Sequence, residues 1–451
     1  MAAGDLLLPL LGSSEVATLF ADDARLQAML DFEAALAAAE AECGIIPAAA
    51  ATAIADVCRV ERLDRTGFAG AAAKAGNLAI PLVKRLTDAV AAVDRDAARF
   101  VHWGATSQDA IDTGMVLQLR GALDHLEREL ARLADALARL AAAHKSTAMV
   151  GRTWLQHALP VTFGLKAAGW LDGVERHRER LAALRPRLLV LQFGGAAGSL
   201  ASLGERGLEV AAALARRLDL GLPDLPWHGQ RDRLAELATT LGLITGSLGK
   251  LARDLSLLMQ TEIGEAFEAA GEGRGGSSTM PHKRNPVIAA AVLAAATRAP
   301  GLVATMLSAM VQEHERGLGG WHAEWVALPE LVILTAGALT QTADLVAGLE
   351  LDPARMRANL DMTHGLIMAE AVTMALGATL GRLEAHHLVE AACRRAVTER
   401  RHLRAVLAED AAVAGVLDAA ALDRLFDPTG YLGVAEAFID RVLAARRRSG
   451  D

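Results

Sequence analysis

The sequence predicts an all-α protein of three helical domains, at about residues 1–107, 108–350 and 351–451, the central one a bundle of long helices. Two observations predict this. The chain is 52% hydrophobic but only 4% aromatic, with alanine and leucine dominant, a composition that favours helix over sheet. Two leucine seams repeat at alternating three- and four-residue steps: Leu123, Leu126, Leu130, Leu133, Leu137 and Leu140, then Leu234, Leu237, Leu241, Ile244, Leu248, Leu251, Leu255 and Leu258. Heptad spacing sustained this far marks long helices packed side by side at shallow angles. Each seam is too narrow for a helix buried all round and suits a bundle. Alanine, glycine and serine on the other faces permit close packing of subunits, so an oligomer is expected, although periodicity does not count its copies.

In chain order, residues 13–43 read as helices, with Asp22 and Asp23 as caps for a helix through Leu26, Met29, Leu30 and Leu36. Cys43-Gly44 followed by Pro47 reads as a stop and restart. Asn77 and Lys74 either face a ligand or belong to an ordinary helical corner before Pro81. The stretch His102-Trp-Gly-Ala-Thr-Ser-Gln-Asp109 gathers a histidine, two hydroxyls and an acid ahead of a helix. Thr106 and Ser107 there either present hydroxyls and N–H groups to an anion or, with Asp109, merely cap the helix. Gly151-Arg-Thr-Trp154 leads to His157, which is as easily a satisfied polar residue as a ligand contact. Phe193-Gly-Gly-Ala-Ala-Gly-Ser199 is a glycine-rich turn that no strand precedes, so a dinucleotide fold is disfavoured. A helix is expected over 287–312, and His386-His387 reads as surface.

The formal charge of −8 argues against a nucleic-acid surface. An anionic substrate then needs a local positive site. The three scattered cysteines, Cys43, Cys58 and Cys393, form neither a disulfide framework nor a metal spacing and point to the cytoplasm. No signal-peptide pattern and no uninterrupted membrane-spanning run are read from the sequence, and no cofactor or metal is expected.

The stretch with the richest chemistry is Gly271-Glu-Gly-Arg-Gly-Gly-Ser-Ser-Thr-Met-Pro-His-Lys-Arg-Asn-Pro-Val287. Glycines let the backbone move and approach a ligand closely, and Pro281 and Pro286 forbid a continuous helix. Composition alone describes either a solvated linker or a lid that delivers a hydroxyl, a cation and an amide to one place. The order of residues resembles the signature loop of the fumarase/aspartase superfamily. The stretches at 102–113 and 151–164 resemble its other two conserved regions, and all three occur in order. The resemblance implies homotetrameric all-helical enzymes that add or remove groups β to a carboxylate, with active sites shared between subunits. It implies that Ser277 transfers the proton and that Lys283 and Asn285 hold a substrate carboxylate. His102, Thr106, Ser107, Arg152, Trp154, His157 and Arg316 complete the expected substrate-binding set.

Two departures narrow the reading within the superfamily. Trp154 stands where most members carry a histidine, and 72–84 lacks the His-Asp pair of adenylosuccinate lyases. Gly317 and Trp325 also lack the phosphate-holding pattern of those enzymes. The implied chemistry is ring closure on a small tricarboxylate. Its nucleophile is already an ionised carboxylate, so one proton-transfer group suffices. The alternatives left open are a β-eliminating lyase, adenylosuccinate lyase above all, and a non-catalytic structural protein.

Overall fold

The computed structural model describes residues 6–269, 275–276, 280 and 282–449. Helices dominate it, five of them long: Ser107–Ala143, Phe163–Leu188, Asp232–Leu258, Val287–Ser308 and Gly320–Ala347. The chain divides into two compact units, residues 1–131, 177–249 and 291–341 in the first, 132–176, 250–290 and 342–451 in the second.

The leucine seams are the buried faces of two of these helices. Leu123, Leu126, Leu130, Leu133 and Leu137 are at most 1% exposed, and every residue of the second seam is buried. Each such side chain contributes about 1.5–3 kcal/mol relative to exposure. Within the first unit, glycine sets how closely the helices approach. A Cβ at Gly249 would sit 2.6 Å from that of Ala296, and one at Gly337 would meet the backbone of Gly12 at 2.3 Å.

The helix Asp22–Glu42 begins at an Ala21 N-cap with no side-chain bond. Asp22 and Asp23 therefore act in its first turn, where they favour the helix dipole, and not as caps. Pro47 does restart the chain, as N-cap of Ala48–Val57. The helix from Val287 ends at Ser308, four residues short of expectation. His386 and His387 are exposed on the helix Arg382–Glu399.

One expectation needs correcting. Two helices, Val287–Ser308 and Gly320–Ala347, are long and apolar enough to cross a membrane by length and composition. The sequence reading missed them because Arg298 and the prolines break the run to the eye. Gly320–Ala347 is mostly buried within the chain, as the core helix of a globular protein is. Val287–Ser308 buries one face through Ala289, Val292, Ala295, Ala299 and Met306.

The second unit holds the principal strands, an antiparallel hairpin of Ala148–Thr153 and Gln156–Thr162. Its C-terminal part is a set of short helices, several opened by a side-chain cap from Asp352, Asp410 or Asp418. They close over Val372, Leu376, Val389, Leu403 and Leu407.

Candidate active site

In the first unit the functional side chains gather where the helix Ser107–Ala143 begins. The Thr106 N–H donates to Asp109 Oδ2 at 3.0 Å, so the acid of the first turn closes back on the helix entry. Asp109 is fully buried and does more than cap. It accepts from the N–H groups of Gly194 and Gly195 at 3.0 and 2.9 Å and lies 2.7 Å from His228 Nε2. The glycine turn 193–199 thus does cradle an anion, and that anion is the protein's own carboxylate. Gly194 is required there because a Cβ would lie 2.7 Å from Pro226.

Thr106 Oγ1 accepts from Arg316 Nη1 at 2.9 Å, and Arg316 Nη2 donates to the Ala196 carbonyl at 2.9 Å. His102 Nδ1 lies 2.6 Å from Glu33 Oε1. Ser107 is the first residue of the helix and is half-buried. His102, Thr106, Ser107 and Arg316 are therefore placed around one helix entry. One turn below, Arg231 forms a buried pair of forks, with Asp112 at 2.6 and 3.1 Å and with Glu324 at 3.0 and 3.1 Å. Trp321 Nε1 and Gln108 Nε2 complete Asp112. Asn77 makes a helix-start bond to the Ile80 N–H at 3.1 Å, which favours the structural corner over a ligand contact. Trp325 lines an apolar cavity of about 560 Å³ with Phe20, Pro329 and Ile333, in which Arg25 is a half-buried cation.

In the second unit the hairpin carries Arg152, Trp154 and His157. Arg152 pairs with His157 across the ladder and forks onto Glu265 at 2.7 and 2.9 Å. Asn359 Nδ2 binds the same carboxylate at 2.7 Å. His157 has its Nδ1 buried without a partner among the described residues. Burial first, and the Arg152 charge second, hold its imidazole below the ordinary histidine range despite the opposing Glu265. It is neutral at neutral pH.

The hairpin turns through two residues, Trp154 at φ +54° and Leu155 at φ +64°. Positive φ at both central positions is the pattern that asparagine and glycine normally supply, and for bulky residues it is strained. Both are also exposed, Trp154 at 98% and Leu155 at 74%. Trp154 is thus not part of the core.

Of the signature loop, Ser277, Ser278, Thr279 and Pro281 lie outside the described residues. Asn285 donates through its backbone N–H and Nδ2 to the Gly275 carbonyl at 2.9 and 3.1 Å, with Gly275 at φ +62°. Arg284 is tied to the Glu268 carbonyl and to Glu350, and stacks over Phe267. Lys283, just before them, is exposed. Glu33, Glu265 and Asp109 belong to these arrangements and were not among the residues predicted for the site.

Comparison with known proteins bears on this geometry. Residues 13–301 match the family model described as Lyase, and residues 365–442 match that of the adenylosuccinate lyase C-terminus. The chain belongs to the fumarase/aspartase lyase superfamily. Among its members the chain is 62% identical to the 3-carboxy-cis,cis-muconate cycloisomerase of Pseudomonas aeruginosa, over 96% of this chain and 94% of that one. It is 56% identical to the enzyme of the same name from Bradyrhizobium diazoefficiens, over 99% of both. The crystal structure of the 3-carboxy-cis,cis-muconate lactonizing enzyme from Pseudomonas putida superposes with a TM-score of 0.95 at 55% identity, covering 99% of this chain and all of that one.

Proposed function

We propose that this chain is a cycloisomerase that converts 3-carboxy-cis,cis-muconate to 4-carboxymuconolactone in protocatechuate breakdown. The observation that carries the reading is the near full-length 62% identity to an enzyme of that name. A carboxylate of the substrate adds to a double bond, forming the ring C–O bond. The π electrons pass to the carbon α to a second carboxylate, giving an aci-carboxylate, and that carbon then takes one proton. Ser277 delivers the proton. Lys283 and Asn285 stabilise the growing charge, and His102, Thr106, Ser107 and Arg316 orient the remaining carboxylates. Intramolecular attack gains from proximity. The nucleophile is ionised from the outset, so no second acid/base is needed where Trp154 stands.

The reading includes a homotetramer whose sites draw residues from more than one subunit. Its support is the strained, exposed Trp154-Leu155 tip, a costly arrangement for an isolated chain, and the small exposed residues Ala290, Gly301 and Ala304 on Val287–Ser308. A cytoplasmic location fits the free cysteines Cys43, Cys58 and Cys393.

The test follows loss of diene absorbance with the purified protein. The tricarboxylate should be consumed and adenylosuccinate should not; the reverse result sinks the reading. Ser277→Ala should lower kcat on the order of a hundredfold or more while substrate still binds. Near-normal turnover in that variant would pass the proton to His157.

A further inference from the structure

The helix Asp22–Glu42 carries two acids inside its apolar face. Glu33 and Glu40 are two turns apart and share the side built by Leu26, Met29, Leu30 and Leu36. Glu33 is 1% exposed and Glu40 is not exposed at all. Buried acids are costly unless partnered. Glu33 has one such partner, His102, through Oε1 and Nδ1. Glu33 Oε2 and both oxygens of Glu40 have none among the described residues. His102 stands at φ +57°, held in the left-handed region by the turn that leads through Gly104 to the helix entry. Strain of this kind persists only where the surroundings fix it. Here it aims the imidazole at Glu33.

We propose that Glu33 is a positioning residue that keeps His102 as an imidazolium, with Nδ1–H given to Glu33 and Nε2–H left to bind a carboxylate of the substrate. The proposal rests on the polycarboxylate substrate of the preceding reading. A neutral histidine would offer that carboxylate one weak donor; an imidazolium offers a charge-assisted one.

The groups that face this pair are Glu40 from the same helix, Cys58 after the next helix, and Asp109 from the helix Ser107–Ala143. Asp109 is already taken up by His228, Gly194 and Gly195. Burial, then the charges of Glu33 and Asp31, push the Cys58 thiol far up, so it stays neutral. Burial, then the Glu33 charge, push Glu40 up to about 9, so it stays protonated at neutral pH. For His102 burial pulls downward, but the charge and hydrogen bond of Glu33, with help from Asp109, outweigh it and the net direction is up. Glu33 and His102 are left facing each other as one hydrogen-bonded pair.

The experiment is a histidine-specific NMR titration of the intact enzyme with ¹³Cε1-labelled histidine, the His102 signal being assigned by its loss in His102→Gln. His102 in the parent should titrate above the free histidine value, and Glu33→Gln should lower that midpoint by about a unit or more. In kinetics, Glu33→Gln should raise KM on the order of tenfold with kcat changed less. The parent KM should rise as pH climbs through the His102 midpoint, and Glu33→Asp should recover part of the loss. If Glu33→Gln does not fold, Glu33→Asp with its shorter reach reads the same shift in smaller amount. An unchanged His102 midpoint, or a KM whose pH profile ignores Glu33, overturns the proposal. A Glu33-dependent titration in a protein that turns over no tricarboxylate would confirm the pair and instead sink the substrate reading.

Discussion

The entry of the helix Ser107–Ala143 and the tip of the 148–162 hairpin treat costly groups in opposite ways. At the helix entry, charge is buried and met on nearly every side: Arg231 has two carboxylates, Asp112 has four donors counting both Arg231 nitrogens, and Asp109 has a histidine and three backbone N–H groups. At the tip, two large apolar residues are left in water on a turn that strains them. A satisfied buried network rigidifies a scaffold. A strained and uncovered one is kept for something other than the stability of the single chain. Substitutions in the first region should therefore cost stability, and those in the second should cost activity.

The largest effect expected is that of Arg231→Met, which leaves Asp112 and Glu324 buried without their cation and should destabilise the protein by about 3–5 kcal/mol. Urea or thermal unfolding would read it, and a loss below about 1 kcal/mol would break the contrast. Next comes Trp154→His. A histidine tolerates positive φ about as well as any non-glycine side chain outside asparagine and aspartate, so stability should move by no more than about 0.5 kcal/mol. Cyclisation should slow roughly tenfold, because in the assembled site we expect the Trp154 indole to give the substrate an apolar wall that an imidazole does not, with no activity gained on adenylosuccinate, because Gly317 and Trp325 are unchanged. A variant that cyclised faster would show a second acid/base to be useful and end the one-proton mechanism.

A third effect, read as a slope against pH, sharpens the first region's exception, Glu40, which is buried and has no partner among the described residues. Its folded-state pKa lies at about 9, above that of the unfolded chain. Its contribution to stability is therefore fully present below pH 4.5 and is lost as pH rises towards 9. Glu40→Gln removes that loss, so its stability relative to the parent, read by unfolding at each pH, should rise between pH 5 and pH 8, by an amount on the order of a few kcal/mol at the upper end. A difference independent of pH would mean that Glu40 is partnered in the assembled protein.

Much of the fold was legible because leucine spacing reports directly on which helical face is buried, and both seams are buried as read except at Leu140, which is half-buried. The hairpin was not legible: its turn is Trp154-Leu155, where a two-residue turn ordinarily announces itself with asparagine and glycine, and Gly151 sits at a bulge that breaks the strand alternation. The signature loop and the helix entry were visible as motifs, and the structure gathers His102, Thr106, Ser107 and Arg316 around that entry. Glu33 was missed although its signal was present. It falls in register with Leu26, Met29, Leu30 and Leu36, and an acid on an apolar stripe asks for a partner that only the fold brings near. Arg152 was read as facing ligand, and its fork is already filled by Glu265, 113 residues away in sequence.

The exposure of Trp154 has an optical consequence. Of six tryptophans, Trp170, Trp227 and Trp321 are buried and Trp103 and Trp325 are partly covered, while Trp154 stands almost wholly in water. Its indole should emit at the red edge of the spectrum and be the one most open to an aqueous quencher. Any event that covers the hairpin tip would then shift emission to the blue and blunt quenching. The chain carries, at the tip of its hairpin, its own reporter of what closes over that position.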